Sequence, residues 1–106
     1  MANIILSPQA ETDLLQIGNY ITRQVGSPKN ALNIIRNIKT RLNELKHFPL
    51  IGRPVSAVVD VDTNYRFIGC GSYLAFYRNE NDFVYIDRIL HNRQDYITLL
   101  FGKPDN

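Results

Sequence analysis

The run Phe83-Val84-Tyr85-Ile86-Asp87-Arg88-Ile89-Leu90-His91-Asn92-Arg93-Gln94-Asp95-Tyr96 decides the fold. Its first half is β-branched and aromatic, which favours a pleated strand from Phe83 to Leu90. Asp87 and Arg88 interrupt that strand, and from His91 to Tyr96 no aliphatic residue follows. A strand that ends in His, Arg and Tyr sets polar side chains at the rim of a sheet, where recognition and chemistry concentrate. Two further strands precede it, Tyr65–Cys70 and Tyr73–Arg78, joined through Gly71-Ser72 and Asn79-Glu80-Asn81-Asp82. Turns this short imply antiparallel hairpins. Beyond it, Asp95 to Phe101 reads as a short helix carrying Ile97, Leu100 and Phe101, and residues 102–106 read as a frayed end.

The strands lack a clean inside and outside. Tyr73, Ala75 and Tyr77 alternate with Leu74, Phe76 and Arg78, so both faces are partly apolar. A sheet covered by helices on one face should be polar on the other. The expectation is that something covers the second face, another protein chain being the natural candidate.

The first half supplies the helices. Ala2 to Leu6 is a short apolar strand. Ser7-Pro8 and Ser27-Pro28 are start signals, serine as N-cap and proline at the first helical position, where no N–H is needed. Ala10, Leu14, Ile17, Ile21 and Val25 recur every three or four residues, as do Ala31, Ile35, Ile38, Leu42 and Leu45, and each stripe predicts an amphipathic helix. Glu11 and Asp13 sit where carboxylates oppose the helix dipole. Gly18 suggests a close approach by another element, and Gly26 ends the first helix. The short link predicts an antiparallel helical hairpin. Phe48-Pro49-Leu50-Ile51-Gly52-Arg53-Pro54 then forms an ordered turn, and residues 55–63 a loop with room for a short strand.

A chain of 106 residues makes one domain, residues 1–106, with a small core. Net charge is +2, split into +4 over residues 1–53 and −2 over residues 54–106, with the basic excess between Lys29 and Arg53. That excess suits a nucleic-acid or acidic-protein surface, or a solvated helix face. The lone Cys70 excludes an internal disulfide and suits a reducing compartment. No charged-then-apolar leader opens the chain, and no apolar run approaches about 18 residues, so a cytoplasmic protein without membrane spans is expected. His47 and His91 lie far apart and Cys70 has no second cysteine, so neither a metal nor another cofactor is expected. There is no glycine-rich phosphate loop.

Taken together, the capped hairpin, Phe48-Pro49-x-x-Gly52-Arg53-Pro54, Tyr65-Arg66-Phe67, Tyr73-Leu74-x-Phe76-Tyr77-Arg78 and Arg88-Ile89-Leu90-His91-x-Arg93-x-Asp95-Tyr96 resemble the RelE/ParE superfamily of bacterial toxins. The resemblance covers nearly the whole chain. It implies an α+β fold: an N-terminal strand, an antiparallel two-helix hairpin packed on an antiparallel sheet, and a short C-terminal helix. It also implies a cognate antitoxin that wraps and neutralises the toxin and supplies the contacts to operator DNA.

The superfamily divides by target. ParE-like members inhibit DNA gyrase and are not known as enzymes, whereas RelE-like and YoeB-like members cut mRNA on the ribosome. For metal-free RNA cleavage a base, an acid and cations for the phosphorane are needed. Arg66 and Arg93 resemble the arginines RelE-like toxins use, His91 is the candidate acid or base, and Tyr96 is a stacking or proton-donating candidate. Arg53, Arg78 and Arg88 are candidates for contacting the target or RNA. The alternative for Arg66 is a cross-strand ion pair with Asp87. The set departs from the nuclease pattern: the loop before the sheet offers Arg53 and no lysines, Leu99 stands where a tyrosine is expected, and no His-Tyr pair ends the chain. The balance favours the ParE-like branch.

Overall fold

Two serines start the two helices in the same way. In the computed structural model, which describes residues 2–102, the Oγ of Ser7 accepts the N–H of Ala10 at 2.9 Å, and that of Ser27 accepts the N–H of Asn30 at 3.2 Å. Helix α1 spans Pro8–Val25 and ends on Gly26 in the left-handed region, φ 69°. Helix α2 spans Pro28–Asn43 and tightens into a single 3-10 turn, Glu44–Lys46. The buried stripes are largely the expected ones, Ala10, Leu14, Ile17 and Ile21 on α1 and Ala31, Ile38, Leu42 and Leu45 beyond it, while Val25 is exposed.

The strands are β1 (Asn3–Leu6), β2 (Arg53–Pro54), β3 (Arg66–Cys70), β4 (Tyr73–Glu80) and β5 (Phe83–His91), and a final helix α3 spans Tyr96–Phe101. They form one sheet in the order β1-β5-β4-β3-β2. Strands β3 to β5 are antiparallel, as expected from their short turns; β2 pairs antiparallel with β3 across the longer link of residues 55–65, and β1 joins β5 in parallel. A parallel partner requires a long crossover, and the helical hairpin lies within the chain that links β1 to β5. Strand β4 continues through Asn79 and Glu80. The expected four-residue turn is therefore shorter, and Asn81, at φ 56°, supplies the left-handed residue it needs. Within residues 55–63 the regular element is a 3-10 turn, Val55–Ala57. Residues 103–106 of the expected frayed end lie outside the described residues.

A β-bulge explains the irregular strand pattern. Phe76 faces Arg88 but Tyr77 faces Ile86, so Asp87 is the extra residue. Ile86 and Ile89, three apart, thus both join the core under the helices, together with Ile68, Ala75, Tyr77 and Val84. The second face is apolar too, as expected, but its central cover comes from the chain itself. Val55, Phe76 and Leu90 are buried there beneath Tyr65, Tyr96, Leu100 and Phe101, so α3 takes the place assigned to another protein.

Gly18 is not a point of close approach. A β-carbon there would meet nothing nearer than Ile35 Cγ1 at 3.9 Å. Gly18→Ala is therefore expected to raise stability by about 0.8–1 kcal/mol through helix propensity, measured as a higher midpoint in urea unfolding.

Candidate functional site

Strand β5 ends in a tied turn. Gln94 Oε1 accepts the N–H of His91 at 2.8 Å, His91 Nδ1 accepts the N–H of Arg93 at 3.1 Å, and Asn92 donates its N–H to the carbonyl of Ser72 at 2.8 Å. With Nδ1 engaged as an acceptor, the neutral ring carries its proton on Nε2. The ring stands edge-on to Tyr73, 5.3 Å between centroids. Burial raises the Tyr73 phenol above its usual range. His91, Arg93 and Arg88 line a groove of about 500 Å³ whose opposite wall is α1, through Asp13, Gln16 and Tyr20.

Arg88 is committed inside the protein. Its Nε and Nη2 donate to Asp13 at 2.9 and 3.1 Å, and Asp13, 5 % exposed, also accepts the N–H of Ile89 at 2.9 Å. Asp13 thus does more than oppose the helix dipole: it ties α1 to β5. The sequence signal for this was available, since Asp13 falls three residues after Ala10 and four before Ile17, on the buried stripe. A carboxylate there requires a partner.

Arg78 is held just as firmly. It donates to Asp87 and to Glu80, both at 2.8 Å, and its guanidinium lies 5.1 Å from the Tyr85 ring. Asp87 also accepts the Tyr65 hydroxyl at 2.8 Å. Burial first, and the Asp87 carboxylate second, push the Tyr65 phenol up to about 12. The expected pairing of Arg66 with Asp87 is replaced: Arg66 Nη1 donates to the Gly52 carbonyl at 2.7 Å and toward that of Leu50 at 3.4 Å. Arg53 is exposed on the edge strand β2.

The four nuclease candidates do not meet. His91 shares a row of the sheet with Tyr73 and Cys70, while Arg66 shares one with Tyr77 and Ile86. These rows lie four residues apart on β3, about 13 Å along the strand. Tyr96 is on the second face, its ring 5.3 Å from that of Phe76. Asp95 does not pair with Arg93 but caps α3, accepting the N–H and hydroxyl of Thr98 at 3.2 and 2.7 Å, and these bonds hold its carboxyl below the usual range. The groove therefore combines one imidazole with Arg93, which has no ion-pair partner among the described residues. Cys70 is buried, which pushes its thiol up to about 11 and leaves it a poor nucleophile. Among the described residues no group of three metal-ligating side chains comes together, and no helix is long and apolar enough to cross a membrane.

The sequence matches the family model for the ParE toxin of the type II toxin–antitoxin system parDE over residues 4–96. The chain belongs to the ParE toxin family. A solved chain described as the chromosomal ParDE TA system from P. aeruginosa shares the fold, with a TM-score of 0.73 over 86 % of this chain and 96 % of that one, at 20 % identity. No curated protein matches the sequence.

Proposed function

We propose that this ParE-family chain is the toxin of a toxin–antitoxin pair, that a cognate antitoxin neutralises it and carries the contacts to operator DNA, and that the free toxin inhibits DNA gyrase in the cytoplasm. The scatter of the four nuclease candidates over two ends and two faces of the sheet carries this reading. Metal-free RNA cleavage requires a base, an acid and cations converging within about 3 Å of the reacting atoms. Arg66 is spent on the loop carbonyls, Tyr96 is packed on Phe76, and only His91 and Arg93 remain adjacent. A protein that binds its target without chemistry on it has no such requirement.

Purified toxin is expected to inhibit gyrase supercoiling and to leave a reporter mRNA uncut on translating ribosomes, as read by primer extension. Intact supercoiling at molar excess, together with cleavage inside codons that Arg93→Ala abolishes, would reverse the assignment in favour of a ribosome-dependent mRNA endonuclease.

A further inference from the structure

The loop between α2 and β2 presents three apolar side chains to water. Phe48 is 63 % exposed, Leu50 60 % and Ile51 47 %. Their backbone is nevertheless fixed from below. The buried Tyr77 hydroxyl donates to the Pro49 carbonyl at 2.8 Å and accepts the N–H of Gly52 at 3.0 Å. Arg66 adds its bonds to Gly52 and Leu50, and the N–H of Ile51 closes onto the Phe48 carbonyl at 3.1 Å. A core phenol and a guanidinium thus hold an apolar projection in one shape. Such preorganisation lowers the entropy cost of binding, and contiguous exposed apolar side chains mark contact surfaces.

We propose that Phe48, Leu50 and Ile51 are the anchor by which this toxin seats on its target, in a preformed pocket with an apolar floor and an acidic rim. This rests on reading the chain as a toxin of a protein target. The rim chemistry follows from charge: from Leu45 to Val59 the sequence contains Lys46, His47 and Arg53 and no carboxylate, Asp82 lies beside Lys46 and His47 at one end, Glu44 at the same end is paired with Arg41, and Arg66 lies beneath the loop, so the loop's own charges are positive. A complementary partner surface is negative. A second copy is the wrong occupant, because a two-fold contact would set like cations against each other. The antitoxin is the wrong occupant by shape. A short helical or extended segment fits a concave groove, such as the one of about 710 Å³ lined by Ile4, Leu6, Leu14, Ile35 and Leu42. A projecting anchor instead needs a pocket, which a large folded protein provides.

The test compares the full chain with Phe48→Ser/Leu50→Ser, which spares Tyr77 and Arg66, and with Arg53→Glu. The double variant is expected to raise the concentration needed to inhibit gyrase supercoiling by roughly tenfold or more, with an unchanged melt and unchanged co-purification with the antitoxin. Arg53→Glu is expected to act in the same direction, more strongly at low salt. Wild-type potency in the double variant, or equal loss of antitoxin binding, overturns the proposal. Should the unaltered chain leave supercoiling intact, the gyrase reading fails separately, and growth arrest on induced expression decides the anchor. Arrest lost in the double variant at equal soluble level supports it. Arrest retained, arrest accompanied by mRNA cleavage, or no arrest by the unaltered chain overturns it.

Discussion

Asp13→Ala is expected to destabilise the protein by about 3 kcal/mol, lowering its melting temperature by more than any surface substitution. The cause lies where β1 stops. Its last residue, Leu6, pairs with Ile86, so the outer side of β5 has no strand beyond that point. Two side chains replace the missing ladder. Ser7 Oγ donates to the Asp87 carbonyl at 2.8 Å, and Asp13 accepts the N–H of Ile89 while receiving both Arg88 donors. Alanine at position 13 leaves a buried amide and a mostly buried guanidinium without an acceptor. Breaking a buried pair costs about 3–5 kcal/mol, and the lower end applies because the Arg88 side chain keeps 21 % exposure. Asp13→Asn retains an acceptor and loses the charge, so about half that loss is expected, within the range for a charge-assisted bond. Removing both charges, as in Asp13→Leu/Arg88→Met, should cost clearly less than the sum of the single changes. Urea unfolding of the four proteins measures this cycle. Strict additivity, or a loss under about 1 kcal/mol for Asp13→Ala, would mean that the pair does not hold α1 to the sheet.

How far the sequence discloses this fold depends on the range of the interaction. The helix starts at Ser7 and Ser27 are set by atoms three residues apart, and the hairpins by their own turns, so both are legible. The stripe on each helix names the half of the core that the helical hairpin contributes. The parallel docking of β1 against β5 joins residues about eighty positions apart, and nothing local encodes it. The bulge at Asp87 hides the face of every residue after it, because one extra residue reverses the alternation. Arg66, Arg78 and Arg88 show the same limit at the candidate site. An arginine in a strand looks available for a ligand until its carboxylate or carbonyl partner is known, and Asp13, Asp87 and the Gly52 carbonyl all sit on other parts of the chain than the arginines they hold. The second apolar face was legible as a face to be covered. Its cover by α3 was not, because Ile97, Leu99, Leu100 and Phe101 fall on more than one side of a six-residue helix and do not specify which surface they meet.

Gly52→Ala is the second large effect, expected at about 3 kcal/mol from overpacking and lost hydrogen bonds. Sequence alone gives Gly52 a turn role, but its constraint is space. A β-carbon at this position would lie 2.6 Å from the Tyr77 hydroxyl, 2.7 Å from its Cε1 and 2.8 Å from the Phe67 carbonyl oxygen. Tyr77 is fully buried and the Phe67 carbonyl belongs to β3, next to β2, so neither can retreat cheaply. The loop must lift instead, and lifting it breaks the Tyr77 bonds to Pro49 and Gly52 and strains the one from Arg66. Tyr77→Phe separates the two contributions. It deletes the hydroxyl, leaves the Gly52 N–H and the Pro49 carbonyl unpaired, and is expected to cost about 1–3 kcal/mol. Combining it with Gly52→Ala removes the nearest clash but keeps those with Cε1 and with the backbone, so the double variant should remain less stable than Tyr77→Phe alone. Recovery to the Tyr77→Phe level would show that the hydroxyl was the whole obstacle. Because the same contacts orient Phe48, Leu50 and Ile51, the folded fraction of Gly52→Ala should also inhibit the target less than wild type per folded molecule, a loss that stabilising the protein elsewhere with Gly18→Ala would not restore.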